Sequence, residues 1–217
     1  VSPEDDIENT EATSEKSVRA PDYLRHSLGG FLEDLSSGEP TPGGGGAAAV
    51  SVALAAGLCG MCARFSGKYL PDPERVAEEA DRLRRRAEPL ARYDAEAYGR
   101  VLAALRLPKE EPGRGRSVER AFEEASEVPL TVAKTGAETA ELAARLAREG
   151  NPNLRGDAVS AALLAEAGVC AAGTLVGINA PGDDSRAAEA IELKDRASVA
   201  ALGATRGTLV HNVAEVS

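Results

Sequence analysis

The run from Ala47 to Phe65 is apolar on every side of a helix, yet it is built mainly from Ala and Gly with few Leu. A helix in water with no polar face has to be covered all round, so this segment dictates a fold in which helices surround a helix. Ala158 to Asn179 repeats the pattern. Aromatic residues make up 3% of the chain and there is no Trp, although 43% is hydrophobic, so Ala, Leu and Val must build the core. Small side chains let helix axes approach closely while each fills little volume, which favours several helix layers and invites a second subunit. A membrane span needs about 20 strongly apolar residues. The alanine-rich Ala47–Phe65 run ends at Arg64 and argues against one.

The rest of the chain reads as helices between breakers. Tyr23, Leu24, Leu28, Phe31, Leu32 and Leu35 recur at three and four, predicting an amphipathic helix over 22–37. Gly38 to Gly46, with two prolines and four consecutive glycines, is expected to be a loop and not helical. Glu74 to Leu105 reads as one helix of about 50 Å with Pro89 inside. Val118 to Glu149 reads as another, containing Pro129 and stopped by Gly150-Asn151-Pro152-Asn153, and Arg186 to Val213 as the last. No run alternates with period two. The expected fold is all-α, with long kinked amphipathic helices around buried Ala/Gly helices. It forms one domain over 21–217 behind a flexible acidic arm over 1–20, which lacks the apolar stretch of a signal peptide. A formal charge of -10 speaks against gripping nucleic acid, and three cysteines without framework spacing fit a reducing cytoplasm.

Several features could carry chemistry. Pro40-Thr41-Pro42-Gly43-Gly44-Gly45-Gly46 stands directly before a helix, where free N–H groups and the dipole favour an anion; a tight turn against another helix explains the glycines equally well. It is no P-loop, because no Gly-Lys-Ser/Thr follows. Cys59 and Cys62 sit inside an apolar helix with too few soft ligands nearby for zinc, so they read as buried structural thiols. Asp94 shares a helix face with Tyr98. From the residues alone it fits a solvated surface charge better than a placed acid or base. Arg82, Arg84, Arg85 and Arg86 read as a solvated surface. Pro129 removes the donor for the carbonyl of Ala125, leaving a free acceptor or simply a bend around the core.

Phe31-Leu32 to Leu35, then Pro-Thr-Pro-Gly-Gly-Gly and an Ala-rich helix, resembles the opening of the formiminotransferase-cyclodeaminase and methenyltetrahydrofolate cyclohydrolase family. Gly67-Lys68-Tyr69, Asp94-Ala95-Glu96-Ala97-Tyr98 with Leu107-Pro108-Lys109, Val128-Pro129-Leu130, Gly150-Asn151-Pro152-Asn153 with Asp157, and Ile178-Asn179 continue the resemblance in order over about residues 24–200. It departs at Gly156, where many members carry Ser, and at Gly177, where many carry a basic residue.

The resemblance implies a cytoplasmic, multihelical homodimer acting on a tetrahydrofolate derivative as substrate, without metal. The expected reaction is opening of 5,10-methenyltetrahydrofolate to 10-formyltetrahydrofolate, or closure of 5-formiminotetrahydrofolate with loss of ammonia. The expected catalytic residues are Asp94, Asp157 and Lys68, with proton transfer falling to Asp94 or Asp157. Substrate binding would fall to Thr41, Pro42, Gly43, Gly44, Gly45, Tyr98, Lys109, Asn151, Asn153 and Asn179, with Lys68 or Lys109 against the folate-tail carboxylates. A diverged relative performing another cyclisation or C–N bond reaction, a non-catalytic folate-binding dimer and a purely structural helical protein remain as alternatives.

Overall fold

The structure, a computed structural model, describes residues 20–180 and 184–206. The acidic arm over 1–20, save Ala20, and residues 207–213 of the expected last helix lie outside the described residues. Within them the chain forms α1 Leu28–Ser36, α2 Gly44–Arg64, α3 Pro73–Ala87, α4 Leu90–Leu105, α5 Arg114–Glu149, α6 Arg155–Asn179 and α7 Ser185–Arg206. Two 3-10 turns, Tyr23–Arg25 and Pro152–Leu154, complete the set. The described residues contain no strand, so the all-α expectation holds.

Local chemistry explains the boundaries. Ser27 caps α1 by accepting from the Gly30 N–H, and Asp72 caps α3 by accepting from the Arg75 N–H, with Pro73 and Glu74 in the first turn. Three expectations need correction. The helix expected over 22–37 is a 3-10 turn, Tyr23–Arg25, and then α1, with His26 and Ser27 extended between them. Gly44, Gly45 and Gly46 are helical and form the first turn of α2, because first-turn N–H groups need no internal partner and packing at Gly45 leaves no room for a side chain. The helix expected over 74–105 is two helices, since Pro89 lacks the N–H that would bond the Arg85 carbonyl and stands as the N-cap of α4. By contrast, Pro129 stays inside an unbroken α5.

The helices pack in the lateral order α3–α2–α6–α7, with α5 across the back of all four and α4 against α5 and the start of α2. Ser51 donates to the Leu164 carbonyl at 2.9 Å and the Cys62 thiol faces the Leu154 carbonyl at 3.8 Å, so α2 and α6 run antiparallel. Ala87, Ala91, Ala133, Ala137, Ala165 and Ala172 line the main core, and the largest wholly buried aliphatic side chains are valines. Val52 marks the closest meeting of three helices. A Cβ on Gly168 of α6 would lie 2.7 Å from its Cγ2, and one on Gly136 of α5 would lie 3.0 Å from the same methyl and 2.5 Å from Cγ2 of Val169.

The described residues do not cover the two Ala/Gly helices on every side. In the most apolar window of α2, 61% of residues are buried, and in that of Pro152–Asn179, 44%; both segments are long and apolar enough by composition to cross a membrane. The uncovered side lies opposite α5. It carries Leu54, Leu58 and Phe65 on α2 and Leu163, Cys170 and Ile178 on α6, at helical spacing.

Gly136→Ala tests the close packing. Helix propensity alone would stabilise this exchange by about 1 kcal/mol, but the added methyl overlaps two valines. We expect a net loss of about 1–3 kcal/mol in chemical denaturation. A net gain would show that the helices have room to spare.

Candidate active site

The first turn of α2 brings a carboxylate onto bare backbone. Gly43, the N-cap, is extended and has no side chain to satisfy the turn's N–H groups, so an acceptor must come from elsewhere in the fold. It comes from α4: Asp94 packs flat on Gly45, where any Cβ would overlap its carboxyl group. Pro42, buried just upstream after a cis Thr41–Pro42 peptide, and Ala91, one turn before Asp94, both pack against Gly46.

This placement sets the electrostatics. Burial disfavours the charged form and pushes the Asp94 carboxyl from 3.8 up to about 6, while the Gly46 N–H, which favours the carboxylate, pulls the other way. Asp94 is therefore half-buried and can change protonation near neutrality, whereas the residues alone suggested a solvated surface charge. Tyr98 lies one turn further along α4 and is exposed, as is Gly44, while Thr41 and Gly43 are half-buried. Glu96 points away to Arg92, at 3.6 Å.

A second group of candidates gathers at the other end of α2. The buried Ser66 hydroxyl donates to the Cys62 carbonyl at 2.7 Å and accepts from the Asn151 N–H at 2.8 Å. The Asn151 side chain donates to the Phe65 carbonyl at 3.0 Å and accepts from the Asn153 N–H at 3.1 Å. Both its polar atoms thus hold backbone together, clasping the start of α6 to the end of α2. Lys68 and Asn153 are exposed beside this clasp, and Asp157 is half-buried in the first turn of α6. Burial first, and then the charge of Asp157, push the Cys62 thiol up to about 11. Burial also raises the Cys59 thiol, so both stay neutral and structural, as their apolar helix suggests.

Asp94 and the Lys68–Asp157 group are therefore separated within one chain by the length of α2, about 30 Å for its 21 residues. Lys109 is exposed in the α4–α5 loop, and Asn179 ends α6 with its amide donating to the Ala125 carbonyl at 3.3 Å. Sequence reading missed Ser66, a lone serine with no motif around it, and the contact of Asp94 with Gly45, which joins residues 49 positions apart. Among the described residues no three His, Cys, Asp or Glu side chains gather as a metal cluster. A cavity of about 590 Å³ between α5 and α7, lined by Glu141, Arg148, Asp195, Arg196 and Val199, lies apart from both groups.

The sequence profile of the formiminotransferase-cyclodeaminase family matches residues 27–197. The methenyltetrahydrofolate cyclohydrolase of Methylorubrum extorquens is 38% identical over 175 residues, covering 76% of this chain and 84% of that protein. The formimidoyltransferase-cyclodeaminase of Mus musculus is 31% identical over 162 residues, 67% of this chain but 29% of that longer protein. The crystal structure of formiminotetrahydrofolate cyclodeaminase from Thermotoga maritima superimposes with a TM-score of 0.72 at 29% identity, covering 84% of this chain and 93% of that one. A profile match spanning most of the chain, relatives named as cyclohydrolase and as cyclodeaminase and a shared helical architecture lead to one conclusion: the chain belongs to the formiminotransferase-cyclodeaminase family.

Proposed function

We propose that the protein is a folate-dependent one-carbon enzyme that hydrolyses 5,10-methenyltetrahydrofolate to 10-formyltetrahydrofolate, with Asp94 as the acid/base group. The observation that carries this reading is the Asp94 carboxyl held on the glycine turn with its pKa near 6. Water attacking the carbon between N5 and N10 must lose a proton, and a carboxylate poised near neutrality is matched to that transfer. The hydroxyl adduct then collapses: the bond from carbon to N5 breaks, the hydroxyl oxygen gives up its proton to become the formyl oxygen, and N5 takes one up. Across both steps one proton is released to solvent. The high similarity to a cyclohydrolase over most of that protein's length favours hydrolysis. The Thermotoga neighbour favours a second reading, ring closure of 5-formiminotetrahydrofolate with loss of ammonia, in which the same carboxyl would move a proton to the departing nitrogen. Neither scheme calls on a metal, and three free thiols, two of them buried, fit work in the cytoplasm.

We further propose that the working form is a homodimer joined through the uncovered side of α2 and α6. That side exposes Phe65 and Ile178 by two thirds of their surface. Its stripes run from Leu54 to Phe65 along the second half of α2 and from Leu163 to Ile178 along α6. A two-fold axis lying in that face and perpendicular to the helices sets each α2 antiparallel to its copy. Its glycine turn and Asp94 then face the partner's clasp, where Lys68 offers a cation for the folate tail and Asp157 a further carboxylate. On this reading the site is assembled from opposite ends of two copies, with Thr41, Pro42, Gly43, Gly44, Gly45 and Tyr98 on one side and Asn151 and Asn153 on the other.

Two experiments test these readings. Decay of methenyltetrahydrofolate absorbance should be accelerated, with kcat rising with pH through about 6 as the base ionises. Asp94→Asn should abolish that rate, and it should also stabilise the protein at pH 8 by about 1–3 kcal/mol. The sign follows from linkage: the folded-state pKa lies above the unfolded one, so the native protein loses stability as pH rises from 3.8 through about 6, and Asn removes that loss. An active Asp94→Asn enzyme would rule out the assigned role. Secondly, mixing inactive Asp94→Asn and Asp157→Asn proteins should restore about a quarter of wild-type activity, because half of the dimers are mixed and each holds one intact site. Dimers that exchange subunits yet regain nothing would refute a shared site.

A further inference from the structure

We infer that Asn179 is a positioning residue: its amide replaces the backbone donor that Pro129 removes from α5, and this latch fixes the part of α5 on which the helix bearing Asp94 rests. Pro129 lies inside α5 and has no N–H, so the carbonyl four residues earlier, on Ala125, loses its helical partner. Ala125 is 6% exposed, leaving water little access to that oxygen. A buried carbonyl without a donor is costly, and one must be supplied from outside the helix. The Asn179 Nδ2 supplies it at 3.3 Å from the end of α6, across 54 positions of sequence. The NH2 of the amide is the donor, so the identity of the residue matters; an ionised Asp, which only accepts, or a Leu, which has no polar atom, could not serve.

The latch has a consequence for the site because of what lies against Ala125. Ala121 and Ala125 pack with Ala97 and Val101, three and seven residues after Asp94 on α4, and Val128 touches this cluster as well. Arg186 fastens the same stretch from α7, donating to the Glu123 carbonyl and pairing with Glu127, both at 2.8 Å. The segment 121–129 is thus held from α6 and α7 on one side and supports α4 on the other. A shift of this segment tilts α4 and lifts Asp94 from the glycine turn.

A double-mutant cycle tests the inference. In the wild-type background Asn179→Leu, which keeps the γ-branched heavy-atom outline and removes the donor, should lower the melting temperature by about 3–8 °C. It should also move the Asp94 titration, followed by carbon-13 NMR of the carboxyl group, down by about half a unit or more as the group gains water. Pro129→Ala restores the N–H for Ala125, so in that background Asn179→Leu should have less than half of either effect. Should Asn179→Leu be too unstable to purify, Asn179→Ala in the same two backgrounds reads the same cycle. Equal losses of stability in both backgrounds would overturn the latch. Coupled stability with an unmoved Asp94 titration would overturn the positioning role. The link to catalysis rests on the acid/base reading of Asp94, but neither readout requires turnover, so an inactive protein would sink that reading and leave this one to be judged on its own.

Discussion

A carboxylate can rest on the first turn of α2 only because residue 45 has no side chain. That contact joins the N-terminus of the central helix to the middle of α4 and removes Asp94 from bulk water while leaving it one backbone donor. The same physical device recurs through the core. Val52 sits against Gly136 and Gly168, and alanine lines the facing helices, so that three helices meet at distances bulkier residues would forbid. The chain uses small residues both to pack and to let burial raise the pKa of the Asp94 carboxyl.

Much of this architecture was legible in the sequence. Two helices apolar on all sides, the absence of period-two runs and the breaker at Gly150–Asn153 specify an all-helical layered fold, because each follows from local backbone chemistry or from simple burial. What failed was where tertiary packing outweighs local preference. Glycine is a poor helix former, so Gly44–Gly46 read as loop, yet a first turn needs few internal hydrogen bonds and close approach favours glycine there. Pro89 and Pro129 look alike in sequence. One breaks its helix and the other does not, since an amide from α6 meets the carbonyl orphaned by Pro129.

The site was legible in part. The resemblance singled out Asp94, the glycine run and the 150–157 turn, but its spacing along the chain carries no distances. Within one chain the structure gathers Asp94 with the glycines and sets Lys68, Asn151 and Asp157 at the far end of α2. In the homodimer proposed above, an antiparallel copy would cover the side of α2 and α6 left open by the described residues and would bring the two ends together.

The most direct measurement is the titration of the Asp94 carboxyl carbon by NMR, in the native protein and in Gly45→Ala. The account requires a midpoint near 6 in the native protein, falling toward 3.8 in Gly45→Ala as the methyl displaces the carboxyl into water. A native midpoint already at the ordinary aspartate value, unchanged by the substitution, would contradict it.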